Sequence, residues 1–274
     1  MISNILGFSC VENLFLYFLQ PRCENLGLLY FDSFMPLNQI YECAKRGSFE
    51  YFSGIPRIHN VLKNNSLLEI ELYTDDFENF LGHIEKIDND SQILMLVNAK
   101  NTQRIFCARG LREDHYVDVS ENDQKYILTN DITHNSIETN RNELENVYMN
   151  NFLELSYKPF YSNDVLLHLE KQRKYPLTSS TTNISIAEIE SVNFLQVFRN
   201  TLVILKTMRE RLSVYMNARG YALDISDEIT TITRITSQTE YMRLRKVLGK
   251  EKYANLIDQI NEIDRQIFNK VRGV

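Results

Sequence analysis

Cys10, His115 and Asp131 are, in chain order, the three residue types that catalysis by a thiolate requires. A thiolate attacks a carbonyl carbon, an imidazole carries the protons, and a carboxylate holds the imidazole in the useful orientation. Ser9 followed by Glu12 is a capping-box pattern, so Cys10 falls in the first turn of a helix. Backbone N–H groups and the helix dipole favour an anion there, which lowers a thiol pKa and makes the sulfur a better nucleophile. His115 opens a strand and Asp131 closes the next one, with the turn Glu121-Asn122-Asp123 between them. Paired strands bring opposite positions within about 5 Å, so the two can meet although they are far apart in sequence. Asn130 is the neighbour of Asp131, and strand alternation lets only one of the two face His115. That choice stays open at this point, with Asp131 favoured.

The elements that must position these residues are legible in outline. The helix opening at Ser9-Cys10 carries Leu14, Phe15, Phe18 and Leu19 on an apolar face and ends at Pro21. Asp75-Asp76 caps a second helix bearing Phe77, Phe80, Leu81 and Ile84. Ile93–Val97 reads as a buried strand, and Arg104–Arg109, His115–Val119 and Lys125–Asp131 as three more. From about Ser136 the texture becomes helical and glycine-poor. Ile186, Ile189, Val192, Leu195, Phe198, Leu202, Leu205, Met208, Leu212 and Tyr215 recur at helical spacing, and Gly220 stops that helix. Asp227–Leu248 and Glu251–Val271 repeat the pattern, and Pro176–Asn183 is the clearest loop.

Composition excludes several classes. The chain has 274 residues, 43% hydrophobic and 24% charged, enough apolar mass for a sizeable core. The longest apolar run, Leu14–Leu19, is six residues where a membrane span needs roughly twenty. Met1-Ile2-Ser3-Asn4 carries no basic leader segment, so a cytoplasmic protein is expected. Acidic residues outnumber basic ones 36 to 30, for a net charge of -6, which argues against general nucleic-acid binding. No Gly-rich nucleotide loop is present, and the four cysteines lack the spacing of a zinc site. Cys23, Cys43 and Cys107 are read as structural. His59, His83, His134 and His168 are read as surface residues, and Asp88-Asn89-Asp90 as a turn rather than a calcium loop.

Two segments carry a family resemblance. Gly7-Phe8-Ser9-Cys10-Val11-Glu12-Asn13-Leu14 resembles the cysteine helix of the papain-like, peptidase C39-like superfamily. Asp114-His115-Tyr116-Val117-Asp118-Val119, followed by Tyr126-Ile127-Leu128-Thr129-Asn130-Asp131, is similar to its histidine and aspartate strands. With a helical C-terminal half, the layout is most similar to the butirosin-type acyl-carrier-protein:aminoglycoside acyltransferases, and the resemblance extends to amide-forming enzymes of the closthioamide type.

The resemblance implies an α+β fold. A papain-like core, residues 1–135, would pack the cysteine helix on a small antiparallel sheet. A mainly helical region, residues 136–274, would cover the site and offer docking for a carrier protein. It implies an amide-forming acyltransferase of natural-product biosynthesis, nonribosomal peptides among its products. Such an enzyme moves an acyl group from a carrier-protein thioester through acyl-Cys10 to a small amine. Cys10, His115 and Asp131 would be catalytic, and Asn4, where relatives carry Gln, would help bind the oxyanion. The enzyme would need no metal and no cofactor beyond the phosphopantetheine thioester of an acyl or peptidyl carrier protein, and no nucleic-acid or membrane partner. A cysteine peptidase or thioesterase could use the same three residues with water, and a non-catalytic helical binding protein would use none of them. The clusters Lys171-Gln172-Arg173-Lys174, Arg209-Glu210-Arg211 and Arg243-Leu244-Arg245-Lys246 are solvated helix faces or, functionally, a surface for an acidic carrier protein.

Overall fold

The computed structural model describes residues 5–46, 55–107, 114–123, 125–131, 135–175, 193–245 and 250–273. The fold is α+β, built on one six-stranded antiparallel sheet. The chain divides into two compact units, each discontinuous in sequence. One gathers Gly7–Glu24 and Arg57–Tyr161, the other Met1–Leu6, Asn25–Pro56 and Ser162–Val274.

The first unit holds the sheet. Helix α1 (Cys10–Leu19) starts where the capping pattern puts it, with the Ser9 side chain accepting the Glu12 N–H. Helix α3 (Ile58–Asn64), strand β1 (Leu68–Thr74), helix α4 (Phe77–Ile84, capped by Asp76) and strand β2 (Ser91–Val97) follow. Then come helix α5 (Ala99–Phe106), strands β3 (His115–Asn122), β4 (Lys125–Thr129) and β5 (Ser136–Thr139), helix α6 (Arg141–Glu145) and strand β6 (Asn151–Tyr157). The strand order is β1-β6-β2-β3-β4-β5. Ile93, Met95 and Val97 of β2 join Val117 and Val119 of β3, Leu128 of β4, Phe80 and Phe152 in one core on one face of the sheet. Leu94, on the opposite face, is equally buried. Coverage on both faces is why the β2 sequence is an unbroken apolar run instead of an alternating one.

The second unit is helical. A 3-10 turn (Leu26–Tyr30), α2 (Leu37–Arg46) and α7 (Asn163–Glu170) surround the long helix α8 (Phe194–Ala218). Helices α9 (Ser226–Leu244) and α10 (Lys250–Arg272) complete it. Gly220, at φ +85, ends α8 in the left-handed conformation that glycine adopts without penalty.

Three expectations change. Of the expected strand Arg104–Arg109, residues up to Phe106 belong to α5, where the Asn98 side chain caps the N-terminus and Thr102 and Phe106 share a buried face, and residues 108 and 109 lie outside the described residues. The Ile105-Phe106 pair fits either period, and the cap decides. The helical texture begins after Tyr161 rather than at Ser136, because β5 and β6 complete the sheet first. The expected boundary between residues 135 and 136 therefore falls at the start of β5, inside the sheet unit. Finally, α9 stops at Leu244. The loop Pro176–Asn183, the helical positions Ile186, Ile189 and Val192, and His134 lie outside the described residues.

Candidate active site

His115 and Asp131 meet as the hairpin suggests. β3 and β4 pair in a register that sets Asp118 opposite Thr129, which brings the start of β3 beside the residues just past β4. His115 Nε2 lies 2.5 Å from Asp131 Oδ1. A carboxylate only accepts, so Nε2 carries the proton of this hydrogen bond and Nδ1 is the ring nitrogen left for proton traffic. The two side chains are 15% and 8% exposed, low enough to keep the hydrogen bond from competing solvent and open enough for a reactant to approach. Asn130, fully buried on the neighbouring position, is not the residue that holds the ring.

The other oxygen of Asp131 reaches α1. Oδ2 accepts from Asn13 Nδ2 at 3.2 Å. Asn13 stands three residues after Cys10, and helix positions i and i+3 lie on one face with Cβ atoms about 5–6 Å apart. The face of α1 that meets the His115–Asp131 pair through Asn13 thus carries Cys10 one turn nearer the N-terminus. Cys10 is the first residue of that helix and is half-buried. The structure brings Cys10's helix, His115 and Asp131 together within one unit. Asn4 lies outside the described residues.

The segment leading into Cys10 is fixed by α1 itself. Glu12, whose N–H the Ser9 side chain caps, is fully buried. Its carboxylate accepts from Phe8 N–H at 2.6 Å and from Ile58 N–H at 2.9 Å, and it pairs with Arg57 at 3.4 Å. It therefore clamps the approach to Cys10 against the start of α3. Buried charge of this kind is tolerated only with such a full set of partners. The capping pattern in the sequence marks Glu12 but cannot show that two of its partners, Arg57 and Ile58, lie 45 and 46 residues away.

Beneath α1, Gln92 of β2 donates to the Leu14 carbonyl at 3.3 Å and accepts from Tyr157 at 3.2 Å. Asp118 of β3 bonds the same Gln92. Its burial pushes the carboxyl up to about 6, against the opposing pull of the Gln92 hydrogen bond and of Arg22. Neither Asp118 nor Asn13 was singled out by sequence reasoning, since polar residues on a helix or strand give no local signal of a distant partner.

The remaining thiols differ from Cys10. Burial pushes Cys23 up to about 12 and also raises Cys43, so both stay protonated and inert. Cys107 is exposed at the end of α5. His83 has a partner after all, Glu154 Oε2 at 2.8 Å from its Nδ1. A cavity of about 530 Å³ lies over β4 and β5 between α5 and α6, with Ile105, Leu128, Ile137 and Val147 as apolar lining. Its volume is in the range of small-molecule pockets.

The basic clusters are mostly engaged. Arg209 is buried, bound to Asp264 at 2.7 Å and to the carbonyls of Ser33 and Met35. Arg211, also buried, donates to the carbonyls of Leu6 and Pro56. Arg173 pairs with Glu170, and Arg243 with Glu240. Arg209 and Arg211 are spent inside the helical unit, so that pair is neither a solvated helix face nor a surface for a carrier protein, and both readings of it are corrected.

Among the described residues no helix is long and apolar enough to cross a membrane. Comparison with protein-family models, with curated proteins and with solved structures finds no match for this chain.

Proposed function

We propose that the protein is a papain-like cysteine acyltransferase that forms amide bonds in natural-product biosynthesis, in the cytoplasm. The observation that supports this reading is the hydrogen-bonded run from His115 through Asp131 to Asn13, one turn along α1 from Cys10.

In this reaction Nδ1 of His115 takes the proton of Cys10, and the helix N-terminus stabilises the resulting thiolate. The sulfur attacks the carbonyl carbon of an acyl thioester on a carrier protein. The oxyanion is held by the Cys10 backbone N–H. The carbon–sulfur bond to the donor breaks, and the departing thiol takes its proton from His115, leaving acyl-Cys10. An amine then attacks the same carbon and gives a proton to His115, the carbon–nitrogen bond forms, and Cys10 leaves as thiolate. Asp131 keeps the imidazole in the Nε2–H form and stabilises the imidazolium. A thioester donor makes the transfer downhill without a nucleotide. Carrier docking, in this reading, uses side chains other than Arg209 and Arg211.

Intact mass spectrometry after mixing the protein with an S-acyl N-acetylcysteamine thioester, with and without a simple primary amine, tests it in a Cys107→Ser background. The expected result is a mass gain of one acyl group that Cys10→Ala abolishes and that amine discharges as amide. Discharge only to free acid would make the protein a hydrolase, and absence of any adduct would leave it a binding protein.

A further inference from the structure

Asn13 is bonded at both ends of its side-chain amide. Oδ1 accepts the Gly7 N–H at 2.8 Å, and Nδ2 donates to Asp131 Oδ2 at 3.2 Å. The first bond fixes which end of the amide is which: its oxygen is taken by a backbone donor, so its NH2 must point at the carboxylate. A carboxamide suits this place as no carboxylate or aliphatic group would, because one partner donates and the other accepts. Gly7 makes the approach possible. A Cβ on residue 7 would stand 2.4 Å from Asn13 Oδ1 and 2.7 Å from the Asn13 backbone nitrogen, closer than such atoms pack. The run Gly7–Asn13–Asp131–His115 therefore joins the segment entering Cys10, the helix bearing Cys10, and the imidazole in one chain of contacts.

We infer that Asn13 is a positioning residue: it pins Asp131 so that Oδ1 faces His115 Nε2, and thereby fixes the tautomer and the angle of the ring. Its consequence for Cys10 rests on the function proposed above, whereas its hold on His115 does not. Without the Nδ2 donor, the Asp131 carboxylate is free to rotate, the imidazolium loses part of its partner, and the thiolate–imidazolium pair becomes less favourable.

The test uses the full chain carrying Cys107→Ser, compared with Asn13→Ala, Asn13→Asp and His115→Ala. Asn13→Asp keeps an acceptor for the Gly7 N–H while removing the donor to Asp131, so it separates positioning from folding if Asn13→Ala does not fold. Two readouts are taken: the ring 15N shifts of His115, and the pH profile of Cys10 alkylation by iodoacetamide. The parent is expected to hold His115 as the Nε2–H tautomer, and both Asn13 variants to show a mixture. Cys10 alkylation at pH 6.5 should slow about tenfold in the Asn13 variants, equivalent to a shift of one pKa unit. An unchanged His115 tautomer in both variants overturns the inference whatever Cys10 does. A changed tautomer with a Cys10 profile indifferent to His115→Ala upholds the positioning role and instead overturns the proposed catalysis.

Discussion

At the scale of single residues, the four thiols are sorted by environment rather than by sequence. Cys23 and Cys43 are held protonated by burial, Cys23 up to about 12, while Cys10 sits half-buried at a helix start and Cys107 is exposed. Alkylation goes through the thiolate. Iodoacetamide at pH 7.5 should therefore label Cys10 and Cys107 within minutes and leave Cys23 and Cys43 untouched until the protein is denatured. Peptide mapping of the labelled sites checks this, and early labelling of Cys23 would contradict its burial. The same contrast was only half legible in the sequence. Ser9 and Glu12 announced the helix start that distinguishes Cys10, because a cap is a local pattern. Burial of the other cysteines, and the choice of Asp131 over Asn130, depend on which face of the sheet each residue meets, and that is settled only by long-range packing.

At the scale of elements, α1 rests on strands β2 and β3, and the polar contacts in that seat have a pH dependence of their own. Asp118 of β3 faces Gln92, Arg22 and Tyr157 and titrates at about 6, against an ordinary value of 3.8. The folded state binds this proton more tightly than the unfolded chain does. Asp118 thus favours the folded state fully below about pH 4, and that contribution is lost as pH rises through 6. A difference of about two pKa units is worth at most about 3 kcal/mol. Asp118→Asn keeps a partner for Gln92 without a charge. It should raise stability at pH 7 by roughly 1–3 kcal/mol and flatten the slope of unfolding free energy between pH 4 and 6. Urea unfolding across that range checks both, and an unaltered slope would mean that Asp118 is better solvated than its surroundings indicate. The elements themselves read well where a cap or a turn marks them, as for α1, α4 and the β3–β4 hairpin. They read poorly for α5, whose short apolar pair Ile105-Phe106 fits a strand as well as a helix.

At the scale of the whole molecule, the order of strands departs furthest from the order of the chain. β6, the last strand in sequence, lies between β1 and β2 and pairs with both: Leu153 stands opposite Leu72 of β1 and opposite Leu94 of β2. Nothing in the local texture of Asn151–Tyr157 tells of this, because the alternation of a strand names its faces and not its neighbours. The consequence is concrete. A chain ending at residue 135 would keep Cys10, His115 and Asp131 but lose β5 and β6, leaving β1 detached and one edge of β2 unpaired. Phe152 would also leave the core that β2, β3 and α4 share. Sheets of this size are stabilised by the cross-strand pairs that β6 supplies on both sides, and an unpaired apolar edge promotes aggregation. Residues 1–135 expressed alone should therefore show no cooperative thermal unfolding and should aggregate, although every candidate catalytic residue is present. Circular dichroism with a melting curve, beside the full chain, decides the matter. A cooperative, monomeric fragment would show that the sheet closes without β6 and that the sequence's early half folds by itself.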